Sequence, residues 1–292
     1  MASITDEIRE NFRRGDMMTR LIYINIGIFL VIKILKVLGF FFNADFSIAE
    51  YFTVKAAPGA LLLKPWGLIT YMFLHEGFLH ILFNMIWLFF GGRIFLEYLN
   101  EKKLLSVYLL GGLAGAALYI LAYNLFPVFA DQLPYSQALG ASASVMAIFV
   151  AIATFVPDYT VRLMFVGNVK LKHIAIFYLL LDLLSIPSGN AGGHIAHLGG
   201  AFFGFLYARQ LQKGNNIAAG FEKFLESFFT FIRPRPKMRT AYKAKTRTET
   251  QYHEQKASQK AKLDAILDKI SESGYDSLSK DEKDFLFQMN KE

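Results

Sequence analysis

The chain has 292 residues, and 54% of them are hydrophobic, which exceeds the share found in soluble domains of this length. It contains 29 Phe and no Cys, so disulfides, cysteine nucleophiles and thiolate metal sites are excluded together. The net charge is +7, and in a membrane protein such charge matters through the side of the membrane on which it lies. Composition therefore predicts a membrane protein.

The first residues, 1–20, are polar and charged and predict a short cytoplasmic segment. The apolar run that follows is too long for the core of a cleavable signal peptide, and it has no small-residue cleavage site nearby. We therefore expect that no signal peptide is removed.

Six segments approach the roughly 20 apolar residues that a helix needs to cross a hydrocarbon core of about 30 Å. These segments are 21–42, 79–96, 104–126, 137–156, 173–186 and 193–209. They predict an all-α membrane protein with a six-transmembrane-helix core over 21–212. Lys33 and Lys36 interrupt the first segment, and we expect both side chains to extend to the outer interface.

Lys and Arg are concentrated in alternate connections between the segments, which is the bias that orients membrane proteins. The N-terminal tail, the connections after the second and fourth segments, and the chain after the sixth are basic. The connections FPVFADQLPYSQ and PSGNAGG contain neither Lys nor Arg. The sequence therefore predicts a multi-pass plasma (inner) membrane protein with both termini cytoplasmic. Loop 43–70 is expected outside, in the membrane interface.

The chain after the sixth segment differs in composition from the core. Residues 213–248 predict an interfacial amphipathic helix, FEKFLESFFTFI, followed by a basic, Pro-broken linker suited to an anionic leaflet. Residues 249–292 predict a small helical cytoplasmic tail, in which Gly274 ends one helix and Ser279 begins the next. The tail carries no catalytic pattern, and the sequence does not identify its partner.

The stretch HEGFLHILFN, 75–84, resembles the zinc-protease signature H-E-x-x-H but has one more residue between the histidines. Residues five apart on a helix point about 140° apart, so His75 is predicted to turn away from His80. His80 and Asn84 are four apart and share a face. The stretch therefore predicts a pair of hydrogen-bonding groups and no metal clamp.

Polar groups within apolar segments are costly and usually face the protein interior, so they are the functional candidates. In the predicted topology Ser142 lies a little over one turn inside the fourth segment, and His197 lies about one turn inside the sixth. His80 and Asn84 lie at a similar depth in the second, which indicates one common site. We predict no metal or cofactor; a metal held by His80, His194 and His197 is the less favoured alternative.

Small residues recur at every fourth position of the fourth and sixth segments. They are Ala143, Ala147, Ala151, Ala196, Gly200 and Gly204. Such faces let helix backbones approach closely in lipid, so these segments are expected to pack face to face and bring Ser142 to His197. A hydrogen-bonded serine and histidine form a nucleophile–base pair. Asn84, His80 and the Ser142 backbone N–H could donate to an oxyanion.

Three further polar residues receive weaker interpretations. Asp182 lies near the outer end of the fifth segment and is predicted to have a hydrogen-bonded structural role, with catalysis as the alternative. No Asp is expected to orient His197, so the predicted unit is a Ser–His dyad. His194 shares the face of His197 one turn nearer the water and is predicted to be peripheral. Ser144 competes with Ser142 as the nucleophile but is less favoured.

These patterns resemble the motifs of the rhomboid intramembrane serine proteases, in their bacterial six-helix form, over about 60–212. The family patterns are H-x-x-x-x-H-x-x-x-N, then G-x-S, then H-x-x-G with a further glycine four residues on. The matching residues are His75, His80, Asn84, Gly140, Ser142, His197, Gly200 and Gly204. They occur in the family's order on the second, fourth and sixth segments.

The resemblance implies a serine-type endopeptidase that cleaves single-pass transmembrane proteins near the outer membrane face, with no cofactor. It implies Ser142 as nucleophile and His197 as general base. His80, Asn84 and the Ser142 amide would form the oxyanion hole. The implied partners are membrane-protein substrates and the lipid bilayer, with no nucleic acid and no metal.

Three positions depart from the family pattern. Ala143 follows the serine where glycine is usual, Met146 replaces an aromatic residue that often stacks on the histidine, and Gly67 replaces an arginine after Trp66. A catalytically inactive rhomboid-like protein that binds membrane helices is the alternative function. A six-helix transporter is disfavoured because neither inverted repeats nor mid-membrane charged pairs are evident.

Overall fold

The computed structural model of the protein describes residues 3–44, 48–164, 166–232 and 249–289. These residues form two compact units, divided after Ile232. The helices of the first unit are α1 Ile4–Arg14, α2 Met17–Phe41, α3 Pro58–Leu63, α4 Gly67–Thr70, α5 Phe78–Tyr98, α6 Glu101–Leu125, α7 Ser142–Phe155, α8 Leu171–Ser185, α9 Ala191–Gln212 and α10 Ala219–Ile232. The helices of the second unit are α11 Glu249–Ser273 and α12 Lys280–Met289.

Short strands and single turns of 3₁₀ helix complete the described residues. Strand β1 Val54–Lys55 pairs antiparallel with β2 Gln137–Ala138, and β3 Thr160–Leu163 pairs antiparallel with β4 Gly167–Lys170. The 3₁₀ turns are Ile48–Phe52, Tyr71–Phe73, Pro127–Phe129, Ile186–Ser188 and Tyr275–Ser277.

All six predicted core helices are present, as α2, α5, α6, α7, α8 and α9, and the prediction of an all-α membrane bundle is confirmed. Among the described residues, four helices are long and apolar enough to cross a membrane: α2, α5, α6 and α8 with its 3₁₀ extension. Helix α7 has 14 residues, of which 11 are buried, so it forms the centre of the bundle. The protein is a multi-pass membrane protein.

The fourth core helix begins later than predicted. Residues 137 and 138 are in strand β2, where Ala138 is opposite Val54, and the backbone then turns at Gly140 with a φ of +140°. The Gly140 N–H donates to the Tyr71 carbonyl over 2.9 Å, which anchors this turn. Helix α7 therefore starts at Ser142 itself, and the prediction that Ser142 lies a turn inside the helix is wrong.

Helices α7 and α9 pack with their backbones in direct contact, as their small-residue faces predict. A Cβ atom at Gly200 would overlap the carbonyl oxygen of Ala143, and one at Gly204 would overlap that of Ala147. Helix α6 approaches α7 from another side, where a Cβ at Gly115 would lie 2.6 Å from the Ala143 Cβ. The rhomboid pattern usually has glycine at the position of Ala143. Here Gly115 on α6 leaves room for the Ala143 methyl group.

The loop before α5 is held by hydrogen bonds from side chains to the backbone. The indole N–H of Trp66 donates to the Tyr51 carbonyl over 2.8 Å, and the Thr70 hydroxyl donates to the Phe52 carbonyl over 2.7 Å. A Cβ at Gly67 would overlap the carbonyl oxygen of Thr53. Gly67 therefore lets α4 contact the chain beside β1, a contact that an arginine there would prevent.

The segments after the core match several local predictions. The predicted amphipathic helix lies within α10, where Glu226 forms an ion pair with Lys102. Gly274, with a φ of +77°, follows α11, and the Ser279 backbone N–H donates to the Glu282 carboxylate at the start of α12. The predicted basic linker lies outside the described residues, and the domain boundaries stay predictions.

Gly204→Ala should destabilise the protein by about 1–3 kcal/mol, because the added methyl group must displace the α7 backbone at Ala147. Gly27→Ala is the matched control, since a Cβ at Gly27 meets nothing within 4 Å and alanine favours a helix over glycine. Unfolding in detergent micelles would measure both variants. Equal stability of the two would contradict the close contact between α7 and α9.

Candidate active site

A cavity of about 1000 Å³ opens between helices α5, α7, α8 and α9. Ser142, His197, His80 and Asn84 all line it, so the structure brings the four central predicted residues to one place. Much of the remaining wall is apolar. It includes Leu79, Phe83, Trp87, Phe149, Tyr178 and Leu181.

Ser142 is the first residue of α7 and lies beside the turn at Gly140. The first N–H groups of a helix have no partner within the helix, and the helix dipole is positive at this end. A Cβ at Gly140 would lie 3.1 Å from the His80 Nε2 and 3.3 Å from the Ser142 Oγ. Gly140 therefore keeps the space between the serine hydroxyl and the His80 ring open.

His197 is oriented by a carboxylate, which contradicts the prediction that no Asp is placed to do so. Its Nδ1–H donates to the Oδ1 of Asp182 over 2.9 Å. Asp182 lies on α8 and is 5% exposed. Because one ring nitrogen donates to the carboxylate, the other, Nε2, carries the lone pair that a general base needs.

The predicted hydrogen-bonded role of Asp182 is correct, but its partner could not be read from a single helix. Helices α8 and α9 are consecutive and joined by a short connection, so the C-terminal end of α8 lies beside the start of α9. A carboxylate near the end of an apolar helix, followed by histidines at the start of the next, was the signal that could have identified the pair.

His194 also contacts Asp182, so the prediction that it is peripheral is wrong. Its Nδ1–H donates to the same Oδ1 over 2.8 Å, and its side chain lines the cavity. The second oxygen of the carboxylate, Oδ2, is buried and has no hydrogen-bond partner in the described part of the chain. One carboxylate therefore receives two imidazole donors on a single oxygen.

Asn84 and His80 share the cavity-facing side of α5, as their spacing predicts. The Asn84 side-chain amide donates to the His80 carbonyl over 2.8 Å, which orients its nitrogen and leaves a second N–H. Both residues line the same cavity as Ser142, and the His80 ring lies beside Gly140, just before the start of α7.

His75 lies in the loop before α5, which begins only at Phe78. The helical spacing used to predict that His75 turns away from His80 does not apply to a loop, and that prediction is wrong. The two rings are in edge contact, with centroids 5.1 Å apart. Burial lowers the pKa of His75 to about 3, so it packs against His80 as a neutral ring.

Ser142 and His197, both described by the structure, form no hydrogen bond with each other in it. Such bonds are often long in free enzymes and tighten when substrate binds.

Ser144 is fully buried and does not line the cavity, which favours Ser142 over Ser144 as the candidate nucleophile. Met146, at the position where the family often has an aromatic residue, lines the cavity and packs beside Tyr178.

The described residues bring together a different potential metal-binding group from the one considered as an alternative. Ligating atoms of Asp182, His194 and His197 all lie within 4.8 Å of one another. The sequence suggested His80, His194 and His197 as an alternative metal-binding group. In the structure Asp182, and not His80, lies with the other two histidines.

Comparison with known proteins matches two parts of the chain. The sequence model of the Rhomboid domain matches residues 63–213, about half of the chain, and that of a family of unknown function, DUF6576, matches residues 247–291. The chain is 31% identical to RHOMBOID-like protein 12, mitochondrial, of Arabidopsis thaliana, over 50% of this chain and 46% of that protein. It is 27% identical to Presenilin-associated rhomboid-like protein A, mitochondrial, of Danio rerio, over 55% of this chain and 40% of that protein.

The alignments therefore span less than half the length of these relatives. The Rhomboid match contains the helices that line the cavity, from α5 to α9. On the strength of that match, the chain belongs to the rhomboid family.

Proposed function

We propose that the protein is an intramembrane serine endopeptidase that hydrolyses peptide bonds of transmembrane proteins. One observation supports this most directly: Ser142 at the start of α7 and the Asp182-bound imidazole of His197 open into the same cavity. A nucleophile, a base and an orienting group are the parts of a serine protease site.

The proposed reaction proceeds by acyl transfer. The Ser142 Oγ attacks the carbonyl carbon of the substrate while its proton passes to the His197 Nε2. The C–N bond then breaks, and the same proton is delivered to the leaving amine. Water, deprotonated by His197, hydrolyses the acyl-enzyme and regenerates the serine hydroxyl.

Donors for the developing oxyanion are proposed on two sides of the serine. The Ser142 backbone N–H is at the positive end of α7, and the Asn84 amide keeps one N–H free for the cavity. The His80 ring provides a third donor. It lies close to Gly140, where an added Cβ atom would be 3.1 Å from the ring. Such preorganised donors contribute most where water is excluded.

Asp182 has a positioning role in this proposal. By accepting the Nδ1–H it keeps the proton of neutral His197 away from Nε2 and limits rotation of the ring. It also stabilises the imidazolium that forms during attack. The proposed unit is therefore Ser142, His197 and Asp182, and no longer the dyad expected from the sequence.

The proposed substrate class rests on the apolar cavity wall, and the proposed orientation in the membrane rests on the distribution of Lys and Arg. The apolar cavity wall between α5 and α8 suits a segment of a single-pass transmembrane protein. The names of the relatives assign those proteins to mitochondria. We propose a plasma (inner) membrane location for this chain, and its Lys and Arg bias supports an orientation with both termini cytoplasmic and the cavity opening toward the outer face.

Ser142→Ala and His197→Ala should abolish cleavage of a reporter with one transmembrane helix, because each removes a reacting group. Ser144→Ala is the matched control, since Ser144 is buried outside the cavity and should retain wild-type activity. The assay would use purified protein in liposomes. Cleavage by Ser142→Ala at the wild-type rate would overturn the mechanism. A wild-type protein that binds the reporter without cutting it would favour the inactive alternative.

Asn84→Ala should lower kcat by roughly 10²- to 10³-fold, the cost of losing one oxyanion donor. KM should change little, because the donor acts mainly on the charge that develops during attack. Asn215→Ala, at an exposed position after α9, provides the control. An unchanged kcat for Asn84→Ala would remove this residue from the proposed oxyanion hole.

Asp182→Asn should lower kcat by about 10²- to 10⁴-fold at unchanged KM, because a misoriented His197 loses its function as a base. Asp158→Asn is the control, since Asp158 is exposed and pairs with Lys170 and Lys172 away from the cavity. Thermal unfolding separates the two possible roles of Asp182. A variant that loses stability but keeps kcat would show that Asp182 only supports the fold.

A further inference from the structure

We propose that Asp182, His194 and His197 form a binding site for a divalent transition-metal ion, and that the bound ion inhibits the enzyme. The ligating atoms of the three side chains lie within 4.8 Å of one another. Two imidazoles and one carboxylate are ligands that Zn²⁺ and similar ions accept. The inhibitory part of this inference rests on the proposed function; the binding part does not.

The arrangement of the three side chains is close to that of a metal site. His194 and His197 are three residues apart on α9 and project from one face. Their Nδ1 atoms lie 2.8 Å and 2.9 Å from the same Asp182 oxygen. Zn–N and Zn–O bonds are about 2.0–2.2 Å long, so an ion between these atoms could contact all three after small movements.

The carboxylate has unused capacity for a cation. Its Oδ2 is buried with no partner among the described residues, and the Asp182 side chain is only 7% exposed. A buried acceptor without a partner is costly, and coordination would satisfy it. The two histidines are about one-fifth exposed and border the cavity, so water could occupy a fourth coordination position.

The charges around the cavity also favour a cation. Asp182 and Glu76 are the charged carboxylates in its wall, and none of the described residues that line it is Lys or Arg. An arriving cation therefore encounters the Asp182 carboxylate beside two imidazole rings. Metal binding at Nδ1 would move the proton of each neutral imidazole from Nδ1 to Nε2.

A metal on the Nδ1 of His197 would block the proposed proton transfer. A neutral imidazole that coordinates through Nδ1 carries its remaining proton on Nε2. That nitrogen then has no lone pair to accept the Ser142 proton. Inhibition would therefore arise from the tautomer of His197, without any need to obstruct the cavity.

The binding test uses the purified full-length Ser142→Ala protein in detergent, in which proteolysis plays no part. Calorimetric titration with Zn²⁺ should show one saturable site, and Co²⁺ should give the absorption bands of an ordered nitrogen–oxygen site. His194→Gln and Asp182→Asn should each weaken Zn²⁺ binding at least about tenfold, since loss of even an outer-sphere partner costs 10- to 100-fold.

Two controls separate this site from other histidines. His173→Gln removes an exposed imidazole from α8 and should leave Zn²⁺ affinity unchanged. His80→Gln should also retain binding, because its ring is not among the three ligands. Undiminished binding by His194→Gln, or loss of binding with His80→Gln, would overturn the proposed ligand set.

The activity test measures cleavage by the protein with Ser142 intact, with and without Zn²⁺. Zn²⁺ should inhibit, a chelator should restore the rate, and His194→Gln should raise the half-inhibitory concentration at least about tenfold. Each variant is compared with its own rate in the absence of metal. Binding without any proteolysis would leave the metal site standing and reject the proposed function. Proteolysis insensitive to Zn²⁺ would reject the inhibition alone.

Discussion

The contact between the backbones of α7 and α9 is the constraint on which the rest of the structure depends. Lipid provides no hydrophobic force to drive helices together, so close backbone packing must do so, and only small residues permit it. Gly200 and Gly204 lie directly on the carbonyls of Ala143 and Ala147. With those two pairs in contact, His197 and Ser142 necessarily border the same cavity, because both lie at the same end of the paired helices.

The position of Ser142 at a helix start depends on a second constraint, the turn at Gly140. The preceding residues pair with β1 and are therefore extended, so the chain must change direction abruptly before α7. That turn leaves the Ser142 N–H at the start of α7, beside the cavity, where the helix dipole favours negative charge. A helix extended back to residue 137 would have buried that group in a hydrogen bond. Because of this turn, α7 both packs in the bundle and places its N-terminus at a candidate anion-binding site.

The buried Asp182 carboxylate is paired with the imidazole rings of both His194 and His197. A buried carboxylate is costly unless it is paired, and two imidazole N–H groups meet that need on one oxygen. The same pairing orients His197 for proton transfer and leaves the other oxygen unused. A shared carboxylate of this kind can serve a base or a cation, but not both at once, which is why catalysis and metal binding are expected to compete.

The sequence by itself determined the six core helices, the small-residue faces and the grouping of His80, Asn84, Ser142 and His197 in one cavity, because these follow from composition and from spacing along one helix. It did not determine where α7 begins, that His75 contacts His80, or that Asp182 orients His197. Those features depend on strand pairing with a distant segment, on a loop conformation, and on contact between neighbouring helices. Sequence periodicity gives the position of a residue around its own helix. Contacts between different helices, strands and loops are therefore decided only by the tertiary structure.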